Sequence, residues 1–132
     1  MSVLRIADTL ILSTIDRAVG TYVGAEMTIP DPAPANWGAE IVMSREDRED
    51  LDTVVQLVVE NFNDATGQWR EIFTKHFTGR VVTDKEGNPA NPTFGGPITG
   101  FTSRRLRGTI IVPQQLDGAR KQRVGARLFV FD

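Results

Sequence analysis

Apolar and polar residues alternate along much of this chain with a period of two, the spacing that puts one face of a β-strand against a core. The stretches "VLRIADTLILST" and "AVGTYVGAEMTI", within residues 3–29, are β-friendly and predict two strands. In "SRRLRGTIIVP", Leu106, Ile110 and Val112 point one way around Gly108, and Arg105, Arg107, Thr109 and Ile111 point the other. The last stretch, "RVGARLFVFD", sets Val124, Ala126, Leu128 and Val130 against Gly125, Arg127, Phe129 and Phe131. Both of its faces become apolar, which predicts a strand inside a sheet or against a neighbour.

Two segments fit more than one period. In "SREDREDLDTVVQLVVENF", Leu51, Val54, Val55, Val58 and Phe62 fall on a helical stripe, and Ser44 with Asp47 has the shape of a capping box. Against a short helix around 44–62 stand five β-branched residues between Thr53 and Val59 and the turn-rich "NDATGQ" that follows. Strand is the reading adopted. In "WREIFTKHFTGRVV", Trp69, Phe73 and Phe77 share one face of a strand after a turn at Gly67, which predicts a hairpin, although Trp69, Ile72, Phe73 and Phe77 also suit a helix.

Proline and glycine punctuate the rest. Residues 30–38, "PDPAPANWG", carry three prolines within five residues and predict an extended surface connection. Residues 83–100 hold four glycines and three prolines and predict a long exposed loop. Short strands separated by such loops predict one all-β domain over 1–132, an antiparallel β-sandwich of jelly-roll or immunoglobulin-like type.

Composition narrows the function classes. A chain of 132 residues buries roughly 65–70% of its unfolded surface, enough for one core. It has no cysteine, which removes disulfides and thiolate metal sites. Its start carries Arg5 and Asp8, never reaches the ~18 unbroken apolar residues of a membrane span, and has charges that interrupt any signal-peptide core.

The kit for catalysis does not assemble. His76 is the single histidine, no Gly-x-Ser-x-Gly elbow surrounds a serine, and "FGGPITG" has neither a dinucleotide fingerprint nor a P-loop lysine. The acidic run "REDREDLD" offers Glu46, Asp47, Glu49, Asp50 and Asp52 but lacks the spacing of a calcium loop. A non-enzyme without cofactor or metal is expected. Trp37, beside the prolines, and Trp69, beside a turn, are each candidates for a sugar-stacking platform or for a half-buried core ring.

Charge is split along the chain. Residues 1–64 carry twelve acidic against four basic side chains, a net of −8, and residues 100–132 carry seven basic against two acidic, a net of +5. The overall charge of −2 gives no dominant positive field, so nucleic acid is not the favoured partner of Arg104, Arg105 and Arg107. These arginines are expected to face carboxylates of the same subunit or a neighbour, the Glu46–Asp52 surface being one candidate.

The sequence of "DTVVQLVVENFNDATGQW", a Gly/Pro-rich loop and then "SRRLRGTIIVP" resembles small β-rich structural proteins of tailed bacteriophage particles. The resemblance spans most of the chain and carries over no site residues. It implies a virion component, assembled in the host cytoplasm, such as a capsid decoration or head-tail accessory protein. Such a protein would work through contacts with copies of itself and other virion proteins, as a homo-oligomer away from membranes. A carbohydrate-binding or adhesion module on the same sandwich is the alternative.

Overall fold

A computed structural model describes residues 5–43, 54–78, 82–83, 89–90, 93–113 and 122–132. The described residues form ten strands in chain order: β1 (Ala7–Arg17), β2 (Gly20–Thr28), β3 (Asn36–Met43), β4 (Val54–Asn63), β5 (Gln68–Thr78), β6 (Val82–Thr83), β7 (Pro89–Ala90), β8 (Thr93–Pro97), β9 (Arg105–Val112) and β10 (Gln122–Phe131). There is no helix among the described residues.

Two four-stranded antiparallel sheets face each other, one in the order β1-β10-β3-β8 (sheet A) and the other β2-β9-β4-β5 (sheet B), while β6 and β7 form a small ladder of their own. The order has a simple logic. The pairs β1·β10, β2·β9, β3·β8 and β4·β5 make the chain one long antiparallel ribbon with its tip at β4–β5. Successive pairs fall in alternate sheets, and the ladders β10·β3 and β9·β4 stitch them together. That wrapping is a jelly roll, which decides between the two sandwich types the sequence left open.

The core lies between the sheets and is built from the inward halves of the alternating strands. Val124, Ala126, Leu128 and Val130 of β10 and Trp37, Ala39 and Ile41 of β3 pack against Val55, Leu57 and Val59 of β4 and Leu106, Ile110 and Val112 of β9, all 4% exposed or less. Gly108 interrupts the β9 row because Ile11 crosses the gap there. A Cβ at 108 would stand 2.6 Å from the Ile11 Cδ1. At the far side the sandwich closes on rings, with Trp37 edge-on to Phe73 at 5.6 Å and Phe73 tilted against Phe94 at 6.0 Å.

Residues 54–63 are strand, so the helical stripe through Val54, Val55, Val58 and Phe62 is not used; residues 44–53 lie outside the described residues. β-branched crowding and a two-sided pairing partner outweigh the stripe. The β4–β5 hairpin turns where Asn63 Oδ1 accepts from the backbone N–H of Ala65 (2.9 Å) and Thr66 (3.3 Å), and Gly67 takes φ +71°.

Two expectations need correction. The connection expected over 30–38 ends at Ala35, and Asn36, Trp37 and Gly38 pair on both sides, with β10 and with β8. Its prolines all precede this ladder, so nothing prevents pairing. The loop expected over 83–100 contains β8, whose Phe94 packs against the core. An edge strand needs ladder bonds on one side only, so Gly95, Gly96 and a terminal Pro97 are tolerated there.

Candidate functional site

Three surface features stand out, and the first contains the arginines of "SRRLRGTIIVP". Arg105 and Arg107 are adjacent outward positions of β9, flanked by β2 on one side and β4 on the other. Arg105 grips Glu26 with a two-pronged pair, Nε to Oε2 at 2.9 Å and Nη2 to Oε1 at 2.6 Å. Arg107 donates Nε to Glu60 Oε1 at 3.0 Å from the directly opposite position of β4.

Both guanidinium groups also lie over rings. Arg105 stands 4.1 Å from the Phe62 centroid and 5.1 Å from that of Trp69, and Arg107 is 4.2 Å from Trp69. The rings themselves meet edge to face at 5.3 Å across the β4–β5 hairpin. The hydrogen bonds from Arg105 hold the Glu26 carboxyl below the usual carboxylate range, with the charges of Arg105 and Arg107 adding to the effect. The reciprocal bond to Glu26 raises Arg105.

Beneath this cluster Asn61 continues the inward row of β4 as a polar residue with no exposed surface. Its Nδ2 donates to the carbonyls of Arg105 (2.9 Å) and Ser103 (3.2 Å), and its Oδ1 accepts from Thr102 N–H (3.1 Å). One amide therefore anchors the entrance to β9 and aims the arginines that follow.

The second feature is apolar. Among the described residues the large hydrophobic side chains left exposed are Ile6, Leu10, Ile15, Val19 and Val23, each 47–57% exposed. They follow β1, the β1–β2 turn and β2, which form the edges of sheets A and B on one side of the sandwich.

The third is an open trough of about 550 Å³ on the outer face of sheet A, lined among others by Arg5, Asn36, Gly95, Phe129 and Phe131. It exists because Gly38 has no side chain: the ring of Phe129 lies down over it, and a Cβ there would collide with that ring. Arg5 caps Phe129 at 3.8 Å and binds Asp8 (2.7 Å) and Glu40 (2.8 Å). Burial works against the Arg5 charge, yet these two carboxylates outweigh it and raise its pKa.

The candidates read from the sequence are thus distributed unevenly. Arg105 and Arg107 meet Glu26 and Glu60 of the same chain, whereas Arg104 is exposed and forms no ion pair with a described residue. Glu46, Asp47, Glu49, Asp50 and Asp52 lie outside the described residues. Trp37 is 4% exposed, so as a stacking platform it is corrected: it points inward from a doubly paired strand and serves the core. His76 is exposed on β5, and among the described residues no three His, Cys, Asp or Glu side chains group as a metal site would require.

Sequence reasoning missed the ring partners Phe62 and Trp69 and the carboxylates Glu26 and Glu60. The rings flank "NDATGQ", so a hairpin register would have opposed them. No local signal marks the carboxylates, because their pairing depends on strands far apart in sequence. No helix among the described residues is long and apolar enough to cross a membrane. Compared with models of known protein families and with curated proteins, the chain matches none.

Proposed function

We propose that this protein is a non-enzymatic structural component of a bacteriophage virion, a capsid decoration or head-tail accessory subunit, that acts through contacts between copies and with other virion proteins. The observation that carries the reading is the run of exposed apolar side chains Ile6, Leu10, Ile15, Val19 and Val23 along the two open sheet edges. Open edges and clustered apolar surface are what a protein that remains alone avoids and what an assembling subunit uses. The resemblance of "DTVVQLVVENFNDATGQW" and "SRRLRGTIIVP" to phage particle proteins supplies the setting. The jelly roll is compatible with it but is shared by capsid domains, lectins and cupins, so the fold does not choose among them. Quantitative mass spectrometry of purified particles from the encoding phage should find the chain in many copies; particles without it would overturn the proposal.

The trough over sheet A favours a second reading, a carbohydrate-binding or adhesion module. There the half-buried Phe131 ring stands beside Asn36, whose side-chain amide bonds none of the described residues.

A further inference from the structure

We infer that the trough on the outer face of sheet A is a binding site for a neutral oligosaccharide, with Phe131 as the stacking ring and Asn36 as the group that orients the sugar. The inference rests on the second functional reading and is compatible with a virion protein that also carries a glycan contact.

The ligand class follows from what the trough offers. Its volume, about 550 Å³, is within the range of small-molecule sites. Phe131 and Asn36 occupy directly opposed positions of β10 and β3, so both project from the same face of the sheet. Phe129, tilted beside Phe131 at 5.8 Å, is 3% exposed beneath Arg5, which leaves Phe131 as the accessible ring. A pyranose presents an apolar C–H face and a rim of hydroxyls. The first suits a ring; the second suits an amide with donors and an acceptor to spare. Beyond Asn36, Gly38 is covered by the Phe129 ring, while Gly95 and Gly96 of β8 line the trough without side chains and leave room along which a chain of sugars can lie.

Charge decides between neutral and acidic sugars. Arg5 is held by Asp8 and Glu40, and Arg127 also reaches Asp8 at 3.3 Å. Among the described residues Arg5 and Arg127 are therefore matched by Asp8 and Glu40, and an anionic ligand would meet these two carboxylates with only Lys75, 4.3 Å from the Phe94 ring, to offset them. A long alkyl chain is also a poor match, since the trough is open and contains a polar amide that such a ligand would leave unbonded.

The test uses the full chain and three probes: hexamers of β-1,4-linked glucose, of β-1,4-linked N-acetylglucosamine, and of a β-1,4-linked uronic acid. Amide chemical shifts are followed during titration, and the mass of the protein is measured in the same samples. At least one neutral hexamer should shift Asn36, Gly95, Gly96 and Phe131 saturably. Phe131→Ala and Asn36→Ala should each weaken its binding by roughly tenfold. Phe131→Tyr, which keeps the ring, should retain it, as should Ala65→Ser in the exposed β4–β5 turn. Melting temperatures identify any variant that fails to fold, and Asn36→Ala, at an outward position, provides the test that does not depend on ring packing. Absence of shifts with both neutral hexamers at millimolar concentration, binding unaffected by either alanine variant, or tighter binding of the uronate would overturn the inference. If binding is absent while the mass shows an oligomer, the trough fails as a site and self-association stands.

Discussion

Arg105 shows how one planar group serves two kinds of partner. Its edge meets the Glu26 carboxylate and its face covers Phe62 and Trp69, geometry that lysine could not reproduce. The depressed Glu26 pKa makes the clamp acid-sensitive. Its contribution to stability is complete above the ordinary carboxylate range and is lost as pH falls through the lowered value. An NMR titration of the Glu26 side chain should therefore have its midpoint below that of an ordinary glutamate, and Arg105→Gln should move it back up. An unchanged midpoint in the variant would show that Arg105 is not the cause. Asn61 sets a larger cost. Asn61→Ala strands a part-buried N–H and carbonyls at the entrance of β9 and should destabilise the fold by about 1–3 kcal/mol in urea unfolding. The outward aim of Arg105 and Arg107 was legible from alternation within "SRRLRG", whereas Glu26 was not. Only the β2·β9 register brings it near.

For the strands, the ambiguous stretch is the informative one. Val55, Leu57, Val59 and Asn61 point into the core at a period of two, although a helical stripe can be drawn through the same segment. The β-branched density settled the matter correctly. The turn that joins β4 to β5 relies on Gly67 at φ +71°, with open space around it, so that the backbone angle rather than crowding limits replacement. Gly67→Ala should cost about 1–2 kcal/mol, measured by the shift in the urea midpoint, while Ala65→Ser, at an exposed turn position, should be nearly silent. β8 was hidden for the opposite reason. Its glycines and proline read as loop because composition does not reveal that the segment has a partner on one side only. The trough went unseen with it, since it needs Gly38 beneath the Phe129 ring and Gly95 opposite across β3·β8.

The charge split along the sequence acquires a cause in the molecule as a whole. A jelly roll pairs the first strands with the last, so carboxylates from the acidic half meet arginines from the basic half: Glu26 with Arg105, Glu60 with Arg107, Asp8 with Arg127. A sandwich was legible from short alternating strands, but the strand order was not, because alternation fixes which face is buried and says nothing about which strand lies alongside. Among the described residues this internal pairing leaves the apolar side along β1 and β2 exposed. Copies are proposed to associate through it, and sedimentation velocity of the wild type against the double variant Leu10→Glu/Val23→Glu decides whether they do. Both positions are about half exposed, so the monomer should fold with an unchanged melting profile. The wild type should sediment as an oligomer and the variant as a monomer. A wild type that is monomeric at all concentrations, or a variant that assembles equally well, would contradict the proposed association.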